Sequence, residues 1–413
     1  MNITNRMSFY HHQLKNGIRI VHKRTFRSVA HCGIIIKGGS RNESDGEQGL
    51  AHFIEHVIFK GTSKRKAYHI LSRMEDVGGE LNAFTTKEET CIYSSFMPEY
   101  YNRALELLSD ITFNSIFPKK ELEKEKIVVL DEINYYKDNP SELIFDEFEE
   151  QVFSNHALGK NILGTPQHIQ SFNKTMIEKF IRKNYLTNEI IISSVGNISM
   201  NKLIKTIENH FGHLPKSDLK REEEPFSNYL KKEVEIKRNG FQAHCMLGVE
   251  AYGINHPKKT AMILLNNILG GPGMNSRLNL AIREKYGFTY SIESNYTPYS
   301  DTGIFSIYLS SDNDNIKKSI KLTKKELVKF CQKPLGTLQL KKAKQQLIGQ
   351  IAIGQESEVN LMLAMGKSML LYNKVDTFES VKDKIEVINS KQLLEVANEV
   401  FNLDNLSCLI YKV

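Results

Sequence analysis

The feature that most narrows the possible folds is a passage that occurs twice. Ile177, Phe180, Ile181 and Tyr185 fall at helical spacing, and after Asn188 comes the run Ile190-Ile191-Ile192-Ser193-Ser194-Val195, which reads as a buried strand. Near the C-terminus the arrangement returns: Leu393, Val396, Ala397 and Phe401 make the helical face, Asn405 follows, and Leu406 to Tyr411 is the strand. The two passages are 216 residues apart, and a second echo, Ala30-His31-Cys32 against Ala243-His244-Cys245, has an offset of 213. Two echoes at nearly one offset imply a duplicated unit of about 200 residues, too long for a solenoid repeat and of the size of a domain. A chain of 413 residues, 40% of them apolar, can bury a core in each of two such units. The join is expected where Pro215, Pro225 and the charged run Arg221-Glu222-Glu223-Glu224 interrupt the apolar pattern. This reading gives a domain at 1–214, a linker at 215–238 and a homologous domain at 239–413.

Within the first half, strands and helices alternate. The Asn16-Gly17 turn precedes a strand at Ile18 to Lys23, and a second strand runs from Ala30 to Ile36. A helix is expected around Ala67 to Val77, broken by Gly78-Gly79, then strand-like residues from Glu80 to Phe96. Helical spacing follows at Tyr100 to Phe113, Pro118 to Tyr136 and Glu142 to Phe153, with Asn139-Pro140 separating the last two.

Between the strand ending near Gly38 and the helix at Ala67 lies Gly49-Leu50-Ala51-His52-Phe53-Ile54-Glu55-His56-Val57-Ile58-Phe59-Lys60-Gly61-Thr62. On a helix, His52 and His56 project from one face and can close on one ion, with Glu55 beside it. Leu50, Phe53, Val57 and Phe59 supply an apolar side for a core, yet the histidines and the glutamate stand where a purely structural helix favours Leu or Ala. His-x-x-Glu-His inverts the commoner zinc-protease order with unchanged physics: two neutral nitrogens hold Zn²⁺, and the carboxylate takes a proton from the attacking water. Two histidines leave a tetrahedral site short of a protein ligand, for which a carboxylate is the usual choice. The best candidates lie in Glu121 to Ile133, where Glu125 and Glu132 are seven apart and share a face, with Val128 and Val129 between them on the apolar side. Glu121 and Glu123 read as a solvated charged face. With the smaller offset, His52 and His56 map onto Leu265 and Leu269, so only the first half is expected to bind metal.

Composition removes other functions. The net charge of +7 comes from 55 basic and 48 acidic residues scattered along the chain, so no nucleic acid is implied. No apolar run is long enough to cross a bilayer, and Met1 to Met7 lack the apolar core of a secretion signal, so no membrane partner and a cytoplasmic location are expected. Five scattered cysteines without a Cys-x-x-Cys pair read as small buried apolar residues.

The motif from Gly49 to Thr62, followed by Glu132 in Glu125-Lys126-Ile127-Val128-Val129-Leu130-Asp131-Glu132-Ile133, resembles the pitrilysin/insulinase family of zinc peptidases, in the branch related to mitochondrial processing peptidase. The resemblance implies Glu132 as third ligand, Glu55 as base and Glu125 as a supporting carboxylate. Gly78-Gly79-Glu80-Leu81-Asn82-Ala83-Phe84-Thr85 matches the family's edge strand, so Asn82, Ala83, Phe84 and Thr85 are expected to pair with the main chain of an extended substrate. In the second half, Leu269 to Leu278 is similar to the family's glycine-rich loop, and Arg283 and Tyr290 match its Arg and Tyr, which hold the substrate carbonyl.

The resemblance implies an α+β fold of two homologous domains, each a mostly antiparallel sheet with helices packed on it. It implies a zinc endopeptidase that cleaves peptides or unfolded segments in a closed chamber. It also implies a homodimer, in which each site takes Arg283 and Tyr290 from the other chain. The rival is a non-catalytic structural or partner subunit; such family members usually lose part of the ligand set or the base, whereas His52, Glu55, His56, Glu132, Arg283 and Tyr290 are all present here. A metal hydrolase acting on a non-peptide ester or amide is a third possibility, and Co²⁺ or Mn²⁺ could occupy the same ligands.

Overall fold

The computed structural model describes residues 9–219, 221 and 223–413; the N-terminal stretch Met1 to Met7 and Glu222 of the charged run lie outside these. Eleven described strands form two sheets. The first half contributes β1 (Tyr10–Gln13), β2 (Arg19–Arg24), β3 (Ala30–Ile36), β4 (Glu80–Thr85), β5 (Thr90–Phe96) and β6 (Ile190–Gly196), in the order β1-β2-β6-β3-β5-β4. The second contributes β7 (Glu233–Lys237), β8 (Ala243–Ala251), β9 (Thr289–Pro298), β10 (Gly303–Ser311) and β11 (Ser407–Lys412), in the order β7-β11-β8-β10-β9.

Dropping β1, the two orders correspond strand for strand. β2 and β6 are parallel, as are β7 and β11, and the other pairs are antiparallel. The echoed segments are equivalent strands: Ala30-His31-Cys32 opens β3 and Ala243-His244-Cys245 opens β8, while β6 and β11 carry the other pair. The duplication read in the sequence is therefore a duplicated α+β fold with mostly antiparallel sheets. The stretch Glu80 to Phe96 is two strands, a hairpin closed where Thr86 and Glu89 exchange hydrogen bonds.

The compact units are not continuous in sequence. One takes Met1–Ile133, Lys160–Glu223 and Ile353–Thr377; the other takes Asn134–Gly159, Glu224–Ala352 and Phe378–Val413. Each half lends the other one helix. Helix Glu358–Tyr372 covers a face of the first sheet, burying Leu361, Met362, Met365 and Met369 on Val21, Ile35, Cys91, Ile191 and Val195. Its approach is close: a Cβ on Gly366 would stand 2.4 Å from Ile35, and Ser193 donates to the Met362 carbonyl at 2.6 Å. Helix Pro140–Val152 does the same for the second sheet, with Ile144, Phe148 and Val152 on Met246, Ile304, Tyr308, Leu409 and Tyr411.

The opposite face of the first sheet carries helices Leu50–Val57, Tyr101–Phe113, Lys174–Asn184 and Met200–Phe211, whose buried residues join β2, β3, β5 and β6 in one core. In the second unit, Lys259–Gly270, Ile316–Gln332 and Ser390–Val400 play that part. The cysteines are all free, and four of the five are buried. No described helix is long and apolar enough to cross a membrane.

Candidate metal centre

Helix Leu50–Val57 is held by its apolar side: Leu50, Ala51, Phe53, Ile54 and Val57 are buried, and Phe53 packs on Phe172 with ring centroids 5.4 Å apart. That anchoring turns His52, Glu55 and His56 toward helix Lys119–Lys137, which presents a stripe of Leu122, Glu125, Val129 and Ile133. Glu125 is a buried carboxylate within an otherwise apolar stripe, and Glu132 follows it two turns later, partly buried. Val129 belongs to the stripe, but Val128 is 48% exposed, because the stripe follows a spacing of three and four residues and Val128 falls off it. Glu121 and Glu123 pair on the surface with Lys124 and Lys126.

The candidate ligand atoms converge. His52 Nε2 and His56 Nε2 are 3.2 Å apart, and Glu132 Oε2 is 3.7 Å from the first and 3.5 Å from the second. Bonds of about 2.05 Å at tetrahedral angles put ligand atoms about 3.3 Å apart, so the three atoms are spaced as the corners of a zinc site. Among the described residues this is the one group of three or more His, Cys, Asp or Glu side chains that can close on an ion. The donor set of two imidazoles and a carboxylate also suits zinc.

The two histidines are supported differently. His56 Nδ1 donates to Glu125 Oε1 at 3.1 Å, which leaves Nε2 with its lone pair for a metal, and Glu125 Oε2 receives Lys60 Nζ at 2.8 Å. His52 Nδ1 is buried with no hydrogen-bond partner among the described residues. Burial, with the neighbouring His56, depresses the pKa of His52 to about 3, so it is neutral and able to ligate. For His56 burial acts the same way, but Glu125, Glu132 and Glu55 outweigh it and raise the value. Burial also raises Glu55, partly offset by the neighbouring Thr85 hydroxyl and His56, a shift that suits a group taking up a proton. Burial raises Glu132 too; Glu125 is instead lowered, because His56 and Lys60 prevail over its burial.

Thr85 belongs to β4, which has β5 as its only neighbour among the described strands and is an edge of the sheet. Asn82 pairs with Tyr93, Ala83 with Ile92, Phe84 with Cys91 and Thr85 with Thr90, leaving the other side of β4 unpaired among the described strands. Arg283 and Tyr290 lie in the other unit, and both are exposed. Arg283 is on the π-helical stretch Asn279–Glu284. Tyr290 falls at a bulge of β9: Ser291 pairs with Ser310 and Thr289 with Ser311, so Tyr290 is the extra residue and is 79% exposed. Such irregularities re-aim side chains and recur at functional sites. Leu265 and Leu269 are fully buried.

Three further features were not read from the sequence. Lys60 stands inside the motif just past the helix end at Val57, and its nearness in sequence to His56 could have marked it as a partner for a carboxylate near the histidine. Glu43 is buried in the loop before the helix, where burial pushes its carboxyl up to about 8 against the opposing effect of the Ala51 and Gly49 amides; no periodicity signals it. The loop after the helix is tied down by Asp110, which accepts from Thr62 at 2.8 Å and Arg65 at 2.6 Å.

Comparison with known proteins agrees with this architecture. Residues 19–166 match the family described as insulinase (peptidase family M16), and residues 171–347 the family described as peptidase M16 inactive domain. An uncharacterized zinc protease, YmxG, of Bacillus subtilis (strain 168) is 34% identical over 399 residues, covering 96% of each chain. The mitochondrial-processing peptidase subunit beta of Bos taurus is 28% identical over 94% of this chain and 80% of its own. The crystal structure of a peptidase M16 inactive domain from Pseudomonas fluorescens has the same fold, with a TM-score of 0.91 at 20% identity and 98% coverage of both chains. The chain belongs to the insulinase family of peptidases, family M16, in the branch related to mitochondrial processing peptidase.

Proposed function

We propose that the chain is an active zinc endopeptidase cleaving peptides or unfolded segments, with His52, His56 and Glu132 as the metal ligands. The observation that carries this reading is the convergence of those three ligand atoms at 3.2 to 3.7 Å, with Glu55 on the same helix. A zinc ion held there supplies Lewis acidity, polarising the scissile carbonyl and making water more acidic. Glu55 takes the proton of the attacking water and passes it to the leaving amine. Its raised affinity for a proton favours the first of these transfers. Glu125, itself held by Lys60, fixes the ring of His56. The free side of β4, at Asn82 to Thr85, pairs with the backbone of an extended peptide, and Thr85 lies next to Glu55, so a peptide in that register passes the base.

Arg283 and Tyr290 act as hydrogen-bond donors to the substrate carbonyl, a part for which the π-helical turn and the bulge support them. In this reading they come from a second copy of the chain, giving a homodimer with two equivalent sites in a closed chamber that admits flexible peptides. The second source to consider is a related but different chain, since the bovine relative is named as a subunit.

The test is a mixed peptide library incubated with zinc-loaded protein and read by mass spectrometry beside a chelated control. Cleavage in the first alone supports the reading, and no cleavage in either contradicts it. For the shared site, inactive Glu55→Gln is mixed with an inactive Arg283→Ala, Tyr290→Phe variant under subunit exchange. Activity returns if the pair acts in trans, and no recovery despite exchange rules out the shared homodimeric site.

A further inference from the structure

His56 is oriented by Glu125 and Lys60, whereas His52 Nδ1 has no partner among the described residues, so His52 depends on the backbone that carries it. That backbone is a helix of only eight residues, too short to be stable on its own, whose first N–H groups need acceptors from elsewhere. The residue before it cannot supply one: Gly49 has no side chain and sits at φ +91°, with room for none, since a Cβ would stand 2.6 Å from the Leu163 carbonyl oxygen.

Glu43 takes over this role from the preceding loop. One carboxylate oxygen accepts from the Gly49 N–H at 3.0 Å and the other from the Ala51 N–H at 2.9 Å, while the Leu50 N–H between them goes to the Glu47 carbonyl at 2.9 Å. Glu43 is 7% exposed, so little water competes with the two amides for its carboxyl oxygens. The clamp ends at Ala51, one residue before His52.

We infer that Glu43 is a positioning residue of the metal centre, whose carboxyl group fixes the start and rotation of the histidine helix and thereby aims His52, the histidine that lacks a side-chain support of its own. The inference rests on the zinc reading above. A neutral amide in its place presents an N–H₂ to one of the two backbone N–H groups, so one buried donor loses its acceptor and the helix start is released.

The experiment measures zinc affinity by competition with a chromophoric chelator for the wild type, Glu43→Gln, Glu43→Asp and Asp110→Asn, with thermal unfolding of each protein in EDTA. Asp110→Asn controls for lost stability alone, because Asp110 is a buried carboxylate that holds Thr62 and Arg65 and touches neither histidine. Glu43→Gln is expected to weaken zinc on the order of tenfold, as loss of an outer support of a ligand does. Glu43→Asp, which keeps the two carboxyl oxygens, should recover part of that loss, and Asp110→Asn should lower the unfolding temperature with zinc affinity unchanged. Wild-type affinity in folded Glu43→Gln overturns the inference, as does an equal loss in Asp110→Asn. If Glu43→Gln does not fold, Glu43→Asp decides: weakened zinc supports positioning and wild-type affinity overturns it. If neither folds, Glu43 is a folding element and the inference falls. A wild type that binds no zinc refutes the metal-centre reading itself, a result distinct from all of these.

Discussion

The two units use the same strand order and each accepts a helix from the other half, yet they fill the helix that follows the strand pair β3 and β8 with opposite chemistry. In the first unit that helix carries His52, Glu55 and His56; in the second, helix Lys259–Gly270 buries Leu264, Leu265 and Leu269 completely. In the second unit, apolar side chains fill the positions that His52 and His56 occupy in the first. Two histidines and a carboxylate in the first unit, one ring nitrogen of which is buried without a partner among the described residues, are therefore a departure from what packing favours, and the proposed metal site would account for them.

The largest effect is expected from making the first unit like the second. His52→Leu with His56→Leu should abolish stoichiometric zinc binding and peptidase activity, while the unfolding temperature in EDTA stays level or rises, because apolar groups replace buried polar ones. Zinc analysis and calorimetry on the same sample check this; a double variant that cannot fold would break the comparison. Next, Glu132→Gln, which removes a direct ligand, should weaken zinc more than the roughly 10- to 100-fold that losing an outer support costs and leave the fold unchanged, as measured by chelator competition.

Lys60→Met tests a support further from the ion. It releases one oxygen of Glu125 and should weaken zinc only severalfold, with the drop vanishing when Glu125 is already Gln, since the two act through one contact. A separate effect concerns acid. His52 is neutral in the folded chain down to about pH 3, against a value of 6.5 for a free histidine, so in that window the unfolded chain holds a proton that the folded one does not. The stability contributed by neutral His52 is thus lost as the pH falls from 6.5 toward 3. The raised His56 has the opposite sign: its contribution is present below 6.5 and is lost as the pH rises through its folded value. Urea unfolding with EDTA at pH 4 and pH 7 should give a shallower acid-side loss in His52→Leu, as expected of the second unit, where Leu265 has nothing to titrate.

Much of this is legible in the sequence. The two echoes identified the duplication because buried strands such as Ile190 to Val195 cannot vary their pattern without losing the core. The histidine motif was legible because its residues are close in sequence and on one helix face, and Glu125 and Glu132 because a seven-residue spacing is itself a face. The exchange of helices was not, because an apolar helix such as Glu358–Tyr372 shows that it is buried but not against which sheet. Nor was the clamp by Glu43, whose partners are backbone amides that every sequence possesses. The bulge at Tyr290 was hidden for a related reason: one extra residue in a strand leaves no mark on composition.

The most direct test of the central claim is to measure zinc content and peptide hydrolysis together on the wild type and Glu55→Gln. Glu55 is the one group assigned to proton transfer and not to holding the metal, so metal binding and chemistry should separate there. The account predicts one zinc per chain in both proteins and a rate at least about 100-fold lower in the variant, the usual effect of removing a general base. A Glu55→Gln protein that hydrolyses peptides at the wild-type rate, or one that loses its zinc along with its activity, would contradict it.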